Sequence, residues 1–178
     1  MIPRPAIANC SGSPQDSDVF DHEELLQDFR VSVAATEIEG WPCDVWANRS
    51  AAPHKQPHLP LGHGAVYVFS LGEQYGSGVP AGAGRVLKVG RAGARSDPRF
   101  YSHHYNVSSR STLAKSLLKY PVLWPWLGIS TLGEADVKTW MMTNLDRTHF
   151  FVPDGHEEVL ATFEVFVRAR VGSVFEGS

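Results

Sequence analysis

Two short apolar runs on either side of a glycine-rich stretch constrain the fold more than any other part of the chain. The first run, GAVYVFSL at residues 64–71, is rich in β-branched residues, and the second, RVLKVG at residues 85–90, ends on a glycine. Residues 73–84 between them contain too much Gly and Pro for a regular element. Such runs around a turn-rich loop predict a β-hairpin with a long connection.

Helical and extended patterns surround this hairpin. Residues 148–152 (THFFV) predict a third short strand, and apolar residues at helical spacing predict the strongest helix over 156–171. Further helices are predicted over 18–34 with Asp21 as its cap, 99–105, 113–120 capped by Ser111 or Thr112, and 134–144. The fold class is therefore α+β, with a small three-stranded antiparallel-type sheet flanked by helices and an extra N-terminal helical segment.

The 178 residues are enough to bury one core. We divide them into an N-terminal region over 1–60 and a core over 61–178. The first region comprises a loose arm, an acidic helix and an irregular proline-rich segment that packs on the core.

Hydropathy and cysteine content indicate a cytoplasmic protein without a membrane partner. The apolar runs are shorter than the roughly 18–20 residues of a membrane span, and the N-terminus lacks an apolar core of signal-peptide length. The two cysteines, Cys10 and Cys43, are too few for a four-cysteine zinc site or a disulfide framework.

Charge is distributed unevenly, although the net charge is only −3. Between residues 85 and 119 eight lysines or arginines stand against Asp97, whereas between residues 16 and 40 eight acids stand against Arg30. This asymmetry predicts a basic face for nucleic acid, with the acidic helix packed on the far side; the alternative is two solvated helix faces. The candidate nucleic-acid-binding residues are Arg91, Arg95, His104, Arg110, Lys115 and Lys119.

Three further side chains suit phosphodiester chemistry. Arg99 and His103 are four residues apart, a spacing that places both on one face of a helix. Glu164 lies on the shoulder of the apolar face of the last helix, where a carboxylate needs a cationic partner. That partner is either Arg168 at i+4 or a metal ion.

In this order the residues resemble the GIY-YIG nuclease superfamily. Residues 64–67 match the strand that carries G-I-Y, residues 88–90 match Y-I-G with Lys88 in place of its tyrosine, and Arg99-x-x-x-His103 matches the helix pair. Glu164 matches the later acid, and Glu176 stands twelve residues beyond it, where an Asn is common. The resemblance covers roughly residues 64–177.

The resemblance implies a DNA endonuclease that depends on Mg²⁺ (or Mn²⁺), of a restriction or genome-defence kind. It implies catalytic roles for Tyr67, Lys88, Arg99, His103 and Glu164, with Glu164 as the metal ligand. Arg99 would bridge phosphate oxygens, Tyr67 or His103 would orient or deprotonate water, and Lys88 would lower the pKa of Tyr67 or contact the phosphate.

Several alternatives stay open on the sequence. RNA is not excluded as the substrate, and cutting both strands would need a homodimer or two successive events. Because Lys88 and Glu176 depart from the family pattern, a catalytically weak or inactive nucleic-acid-binding module is a second interpretation. An unrelated α+β protein with accidental motif matches is a third.

Overall fold

The computed structural model describes residues 21–35, 44–109 and 112–175. Four strands form one antiparallel sheet in the order β1-β4-β2-β3: β1 (Trp46–Ser50), β2 (His63–Leu71), β3 (Val86–Ala92) and β4 (Leu145–Pro153).

The predicted α+β class is confirmed, but the predicted count of three strands is wrong. The additional strand, β1, lies in the segment that its prolines led us to predict as irregular. It is hydrogen-bonded to β4, so the first 60 residues contribute to the sheet itself.

The helices lie on the two faces of this sheet. They are α1 (His22–Ala35), α2 (Glu73–Gly76), α3 (Asp97–Tyr101), α4 (Leu113–Lys119), α5 (Val137–Asn144) and α6 (Glu157–Val171), with 3₁₀ turns at His103–Tyr105 and Pro121–Leu123. Within the segments that the structure describes, none of these helices is both long and apolar enough to cross a bilayer.

Strand β2 is central, and its side chains alternate between two cores. Ala65, Tyr67 and Phe69 enter the core formed with α3, α4 and α5. Val66 and Val68 enter the core formed with α1 and α6. The strand is buried on both faces, which explains why its sequence is a nearly continuous apolar run.

Helix α1 forms as its sequence predicts. Asp21 Oδ1 accepts hydrogen bonds from the backbone N–H groups of Glu23 and Glu24 at 2.9 and 3.2 Å, which caps the helix. Its apolar face packs on α6, where the rings of Phe29 and Phe163 lie 4.4 Å apart. The helix also contacts β1, at the edge of the sheet opposite β3. The acidic helix therefore lies on the face of the sheet that α6 covers, toward the β1 edge.

The predicted helix over 99–105 is interrupted. Helix α3 ends at Tyr101, Ser102 donates its backbone N–H to the Pro98 carbonyl, and the chain continues as a 3₁₀ turn from His103. The interruption rotates the two histidines away from the positions that a continuous helix would give them. His103 is exposed, and His104 points into the core.

Beyond α6 the chain returns to the free edge of β3. Gly172 ends the helix with a left-handed φ of 57°. The backbone N–H groups of Val174 and Phe175 then donate to the carbonyls of Val86 and Leu87 at 3.1 and 2.8 Å. Glu176, which the sequence places near the active site, lies outside the described residues.

Candidate active site at the edge of strand β3

Tyr67 reaches the edge of the sheet because residue 90 has no side chain. The two residues are directly opposite in the β2–β3 ladder. A Cβ atom at Gly90 would lie 2.4 Å from the Tyr67 hydroxyl oxygen, so the phenol crosses the space above this glycine. Gly64 is also packed closely, since a Cβ there would lie 2.9 Å from both the Ala92 carbonyl and the Leu160 side chain. Close approach of neighbouring groups therefore accounts for the glycines of both motifs.

The Tyr67 hydroxyl meets the guanidinium of Arg99 from α3. Burial raises the pKa of Tyr67 to about 12, although the nearby Arg99 and Arg147 cations and a hydrogen bond from Arg99 oppose this rise. Tyr67 is therefore a neutral phenol at pH 7, able to donate and accept hydrogen bonds but not to act as a phenolate.

Glu164 projects from α6 toward the same edge and is paired with two arginines. Its Oε1 lies 2.6 Å from Arg168 on the same helix, and its Oε2 lies 3.3 Å from Nε of Arg91 on β3. The negative charge of Glu164 also acts on the Tyr67 hydroxyl, where it favours the protonated phenol. The i+4 pairing with Arg168 that the sequence suggested is thus present, together with a second ion pair that it did not.

Lys88 is buried on the same side of the sheet as Tyr67. It lies opposite Phe69 in the β2–β3 ladder. Burial lowers its pKa, and the positive charges of Arg168 and Arg99 lower it further. We call the residues on either side of β3 the edge site; it consists of Tyr67, Lys88 and Arg99 on one face of the sheet and Arg91, Glu164 and Arg168 on the face that α6 covers.

The edge site carries four cationic side chains and one carboxylate. Apart from the buried Lys88, the cations are arginines, whose planar donors match the oxygens of a phosphate. A phosphodiester is therefore an anion whose charge and geometry suit this site.

The two histidines of the 3₁₀ turn differ in position. His103 is on the surface, and the structure places the neighbouring His104 against Tyr67, with ring centroids 4.6 Å apart. His104 is 3% exposed, so it does not lie on the surface where we expected a contact with nucleic acid. Burial lowers its pKa well below the ordinary value, helped by the charges of Arg147 and Lys88. Its role here is to pack beneath the Tyr67 ring as a neutral imidazole.

The remaining residues predicted to bind nucleic acid are on the surface where the structure describes them. Arg91, Arg95, Lys115 and Lys119 are exposed. Arg110 lies outside the described residues.

The most unusual residue near the site is Arg147 on β4, which sequence reasoning missed. Its side chain is 0% exposed, and its guanidinium carbon lies 4.2 Å from the ring centroid of Phe100 and 5.5 Å from that of Tyr67. The same guanidinium donates to the Phe100 carbonyl at 2.7 Å. The only available signal was alternation, since residues 147, 149 and 151 share the face of the strand that Tyr67 occupies.

The edge site offers a divalent metal ion one anionic ligand. Within the described part of the chain no group of three or more His, Cys, Asp or Glu side chains could hold a metal ion. Mg²⁺, however, commonly binds one or two carboxylates together with water and substrate phosphates. A carboxylate has about four lone-pair positions, so Glu164 can accept from two arginines and still contact a cation. The residues therefore fit a Mg²⁺ ion that binds together with a phosphate, rather than a preformed metal cage.

No protein-family model, no curated protein and no solved structure matches this chain.

Proposed function

We propose that the protein is a phosphodiester hydrolase of the GIY-YIG type that acts on DNA with Mg²⁺ (or Mn²⁺). The observation that supports this most directly is the hydrogen bond from Arg99 on α3 to the Tyr67 hydroxyl on β2, with Glu164 of α6 close enough for its charge to act on that hydroxyl. The Tyr67 hydroxyl lies over Gly90 at the edge of β3. A restriction or genome-defence role and a cytoplasmic location are part of the proposal.

Each residue takes a role that its surroundings permit. Arg99, exposed beside the Tyr67 hydroxyl, binds the phosphoryl oxygens and stabilises the charge that develops on them. Tyr67, as a neutral phenol, orients the attacking water by hydrogen bonding. Glu164 is the residue that would hold Mg²⁺, and the ion would supply positive charge to the phosphate and make a water easier to deprotonate.

The proton of the attacking water needs an acceptor. A pKa of about 12 argues against the Tyr67 phenolate as this acceptor, and the lowered pKa of Lys88 makes its amine the candidate instead. His103 is the exposed alternative acceptor, and the pH dependence of cleavage in Lys88→Met and His103→Ala variants distinguishes the two. If the cleavage rate loses its dependence on alkaline pH in Lys88→Met but not in His103→Ala, Lys88 is the proton acceptor.

A second candidate function is a nucleic-acid-binding module without cleavage activity. The observation that favours it is the pairing of both Glu164 oxygens with Arg91 and Arg168, because such pairing competes with metal binding. In this case the cationic residues of the edge site bind phosphate and no bond is broken.

Nicking of a supercoiled plasmid tests the proposal. We expect nicking with Mg²⁺, none with excess chelator, and none in Glu164→Ala or Arg99→Ala. Lys138→Ala is the matched control, since Lys138 is an exposed cation on α5. Metal-independent DNA binding without nicking would instead favour the binding module. A parallel assay on single- and double-stranded RNA determines the preferred nucleic acid, and sedimentation with DNA shows whether a homodimer forms.

A further inference from the structure

The two ion pairs of Glu164 differ in length and exposure. Arg168 lies one helical turn away on α6, at 2.6 Å, and its side chain is 31% exposed. Arg91 comes from β3, its Nε lies 3.3 Å from the carboxylate, and its side chain is 45% exposed. Glu164 itself is only 15% exposed. The contact with Arg91 is therefore the longer of the two, and Arg91 is the arginine more open to an incoming anion.

We propose that Arg91 is a positioning residue that makes metal binding at Glu164 depend on phosphate binding. In the free protein Arg91 covers one carboxylate oxygen and repels a divalent cation. A phosphodiester at the edge site draws the Arg91 guanidinium onto its own oxygens and leaves that carboxylate oxygen available. This inference rests on the proposed function and concerns the regulation of the same site.

Charge accounts for the direction of this coupling. In the free protein the Glu164 carboxylate is paired with two arginines, Arg91 and Arg168, so its immediate surroundings are net positive and disfavour Mg²⁺. A bound phosphodiester adds a negative charge and competes for Arg91, since guanidinium groups bind phosphate as readily as carboxylate. Phosphate then favours the metal and, by linkage, the metal favours phosphate to the same degree.

Manganese binding to the full chain tests this inference without relying on cleavage. Free Mn²⁺ is followed by electron paramagnetic resonance in wild type, Arg91→Gln, Arg91→Lys and the double variant Arg91→Gln/Glu164→Gln. We expect Arg91→Gln to bind Mn²⁺ about tenfold more tightly than wild type, within the range of typical coupling between sites. The double variant should lose this binding, and Arg91→Lys, which keeps the charge, should stay near wild type.

Arg170→Gln is the matched control. Like Arg91, Arg170 is an exposed arginine in an ion pair, but it lies on α6 and its partner is Asp28 on α1. Removing it takes the same charge from the protein and leaves Glu164 with both of its partners. We expect its Mn²⁺ affinity to stay within twofold of wild type.

A phosphodiester probe completes the test. With saturating dimethyl phosphate, wild type should bind Mn²⁺ several-fold more tightly, and Arg91→Gln should gain less than twofold. Equal, Glu164-dependent affinities of wild type and Arg91→Gln would overturn the role of Arg91 but leave the metal site of the proposed function in place. If Arg91→Gln shows no Mn²⁺ binding that depends on Glu164, both the inference and the metal site are wrong. Plasmid nicking then determines separately whether the protein cleaves DNA.

Discussion

Tyr67 lies directly across the β2–β3 ladder from Gly90, and its hydroxyl occupies the space into which a Cβ atom at residue 90 would project. The separation would be 2.4 Å, which is shorter than any real contact of a Cβ atom. Residue 90 must therefore be a glycine for the Tyr67 side chain to occupy this position.

Gly90→Ala should displace Tyr67 and cost about 1–3 kcal/mol of unfolding free energy, as overpacking usually does. Urea denaturation measures the loss, and plasmid nicking should fall with it. Gly93→Ala is the matched control, because a Cβ there would meet its nearest neighbour, Ser96 Oγ, only at 4.0 Å. Equal stabilities of the two variants would show that the Tyr67 ring has free space to move.

Arg99→Ala should lower the cleavage rate at saturating DNA at least about 100-fold, the usual cost of removing a preorganised donor to the transition state. Its fold should be unchanged, because Arg99 is exposed. Single-turnover kinetics separate this effect from weaker binding. Arg95→Ala, also exposed, should instead raise KM and leave kcat within a fewfold of wild type. Residual cleavage by Arg99→Ala within tenfold of wild type would remove Arg99 from the catalytic role.

The exposed lysines of α4 test how far the nucleic acid extends from the edge site. If Lys115 and Lys119 contact phosphates, each Lys→Gln variant should reduce the slope of log K against log salt concentration by about 0.9. Fluorescence anisotropy at several salt concentrations measures the slope. Lys138→Gln on α5 should leave it unchanged. Slopes equal to wild type in both α4 variants would confine the bound DNA to the edge site.

Three buried histidines should make the fold sensitive to acid. Burial lowers the pKa values of His54, His104 and His149 in the folded state, and the charge of Arg147 lowers them further. The unfolded chain binds these protons below its ordinary histidine pKa of about 6.5, whereas the folded protein does not. Stability is therefore present above this pH and is lost as the pH falls below it, by about 1.4 kcal/mol per pH unit for each histidine.

Urea denaturation between pH 5 and 8 measures this dependence. His149→Phe should reduce the slope below pH 6.5 by roughly the contribution of one proton. Phenylalanine suits the position because the His149 ring packs between Phe100 and Phe151. An unchanged slope in this variant would mean that His149 is protonated in the folded protein.

Arg147→Lys should be strongly destabilising although the charge is kept. The guanidinium is weakly hydrated, stacks on Phe100 and donates to its carbonyl, whereas a lysine ammonium is a strongly hydrated point charge that cannot do all three. We expect a loss of more than about 2 kcal/mol by thermal or urea unfolding. A loss below roughly 0.5 kcal/mol, the range of ordinary surface substitutions, would show that the flat guanidinium is not required.

The sequence predicted most of the elements, because their apolar periodicity is local. Helix α6 and the buried faces of α1 follow directly from spacing, and Thr112 caps α4 by accepting from the Lys115 N–H at 3.1 Å. Strand β1 was not predicted, because its apolar and polar residues alternate only weakly and its register is set by pairing with β4. No local pattern specifies such a pairing between distant segments.

The edge site was predictable only in part, for a similar reason. The motif spacing identified Tyr67, Lys88, Arg99 and Glu164. It did not predict the helix break at Ser102, which leaves His103 exposed and His104 buried. The burial of Arg147 was invisible because a charged residue at the start of an apolar run usually indicates the strand's exposed end. The four rings around it come from three separate elements, β2, α3 and the 3₁₀ turn at His103–Tyr105.

The position of β4 has a consequence for the order in which the protein can be assembled on the ribosome. This strand is the last of the four in the chain, yet it lies between β1 and β2 in the sheet. A nascent chain that has emerged as far as Ile129 can form the β2–β3 hairpin but neither of the other strand pairs. The apolar face of α1 likewise has no α6 to cover it at that stage. The N-terminal third of the protein can therefore pack only after the C-terminal third has been synthesised, and completion of the fold is a late event in synthesis.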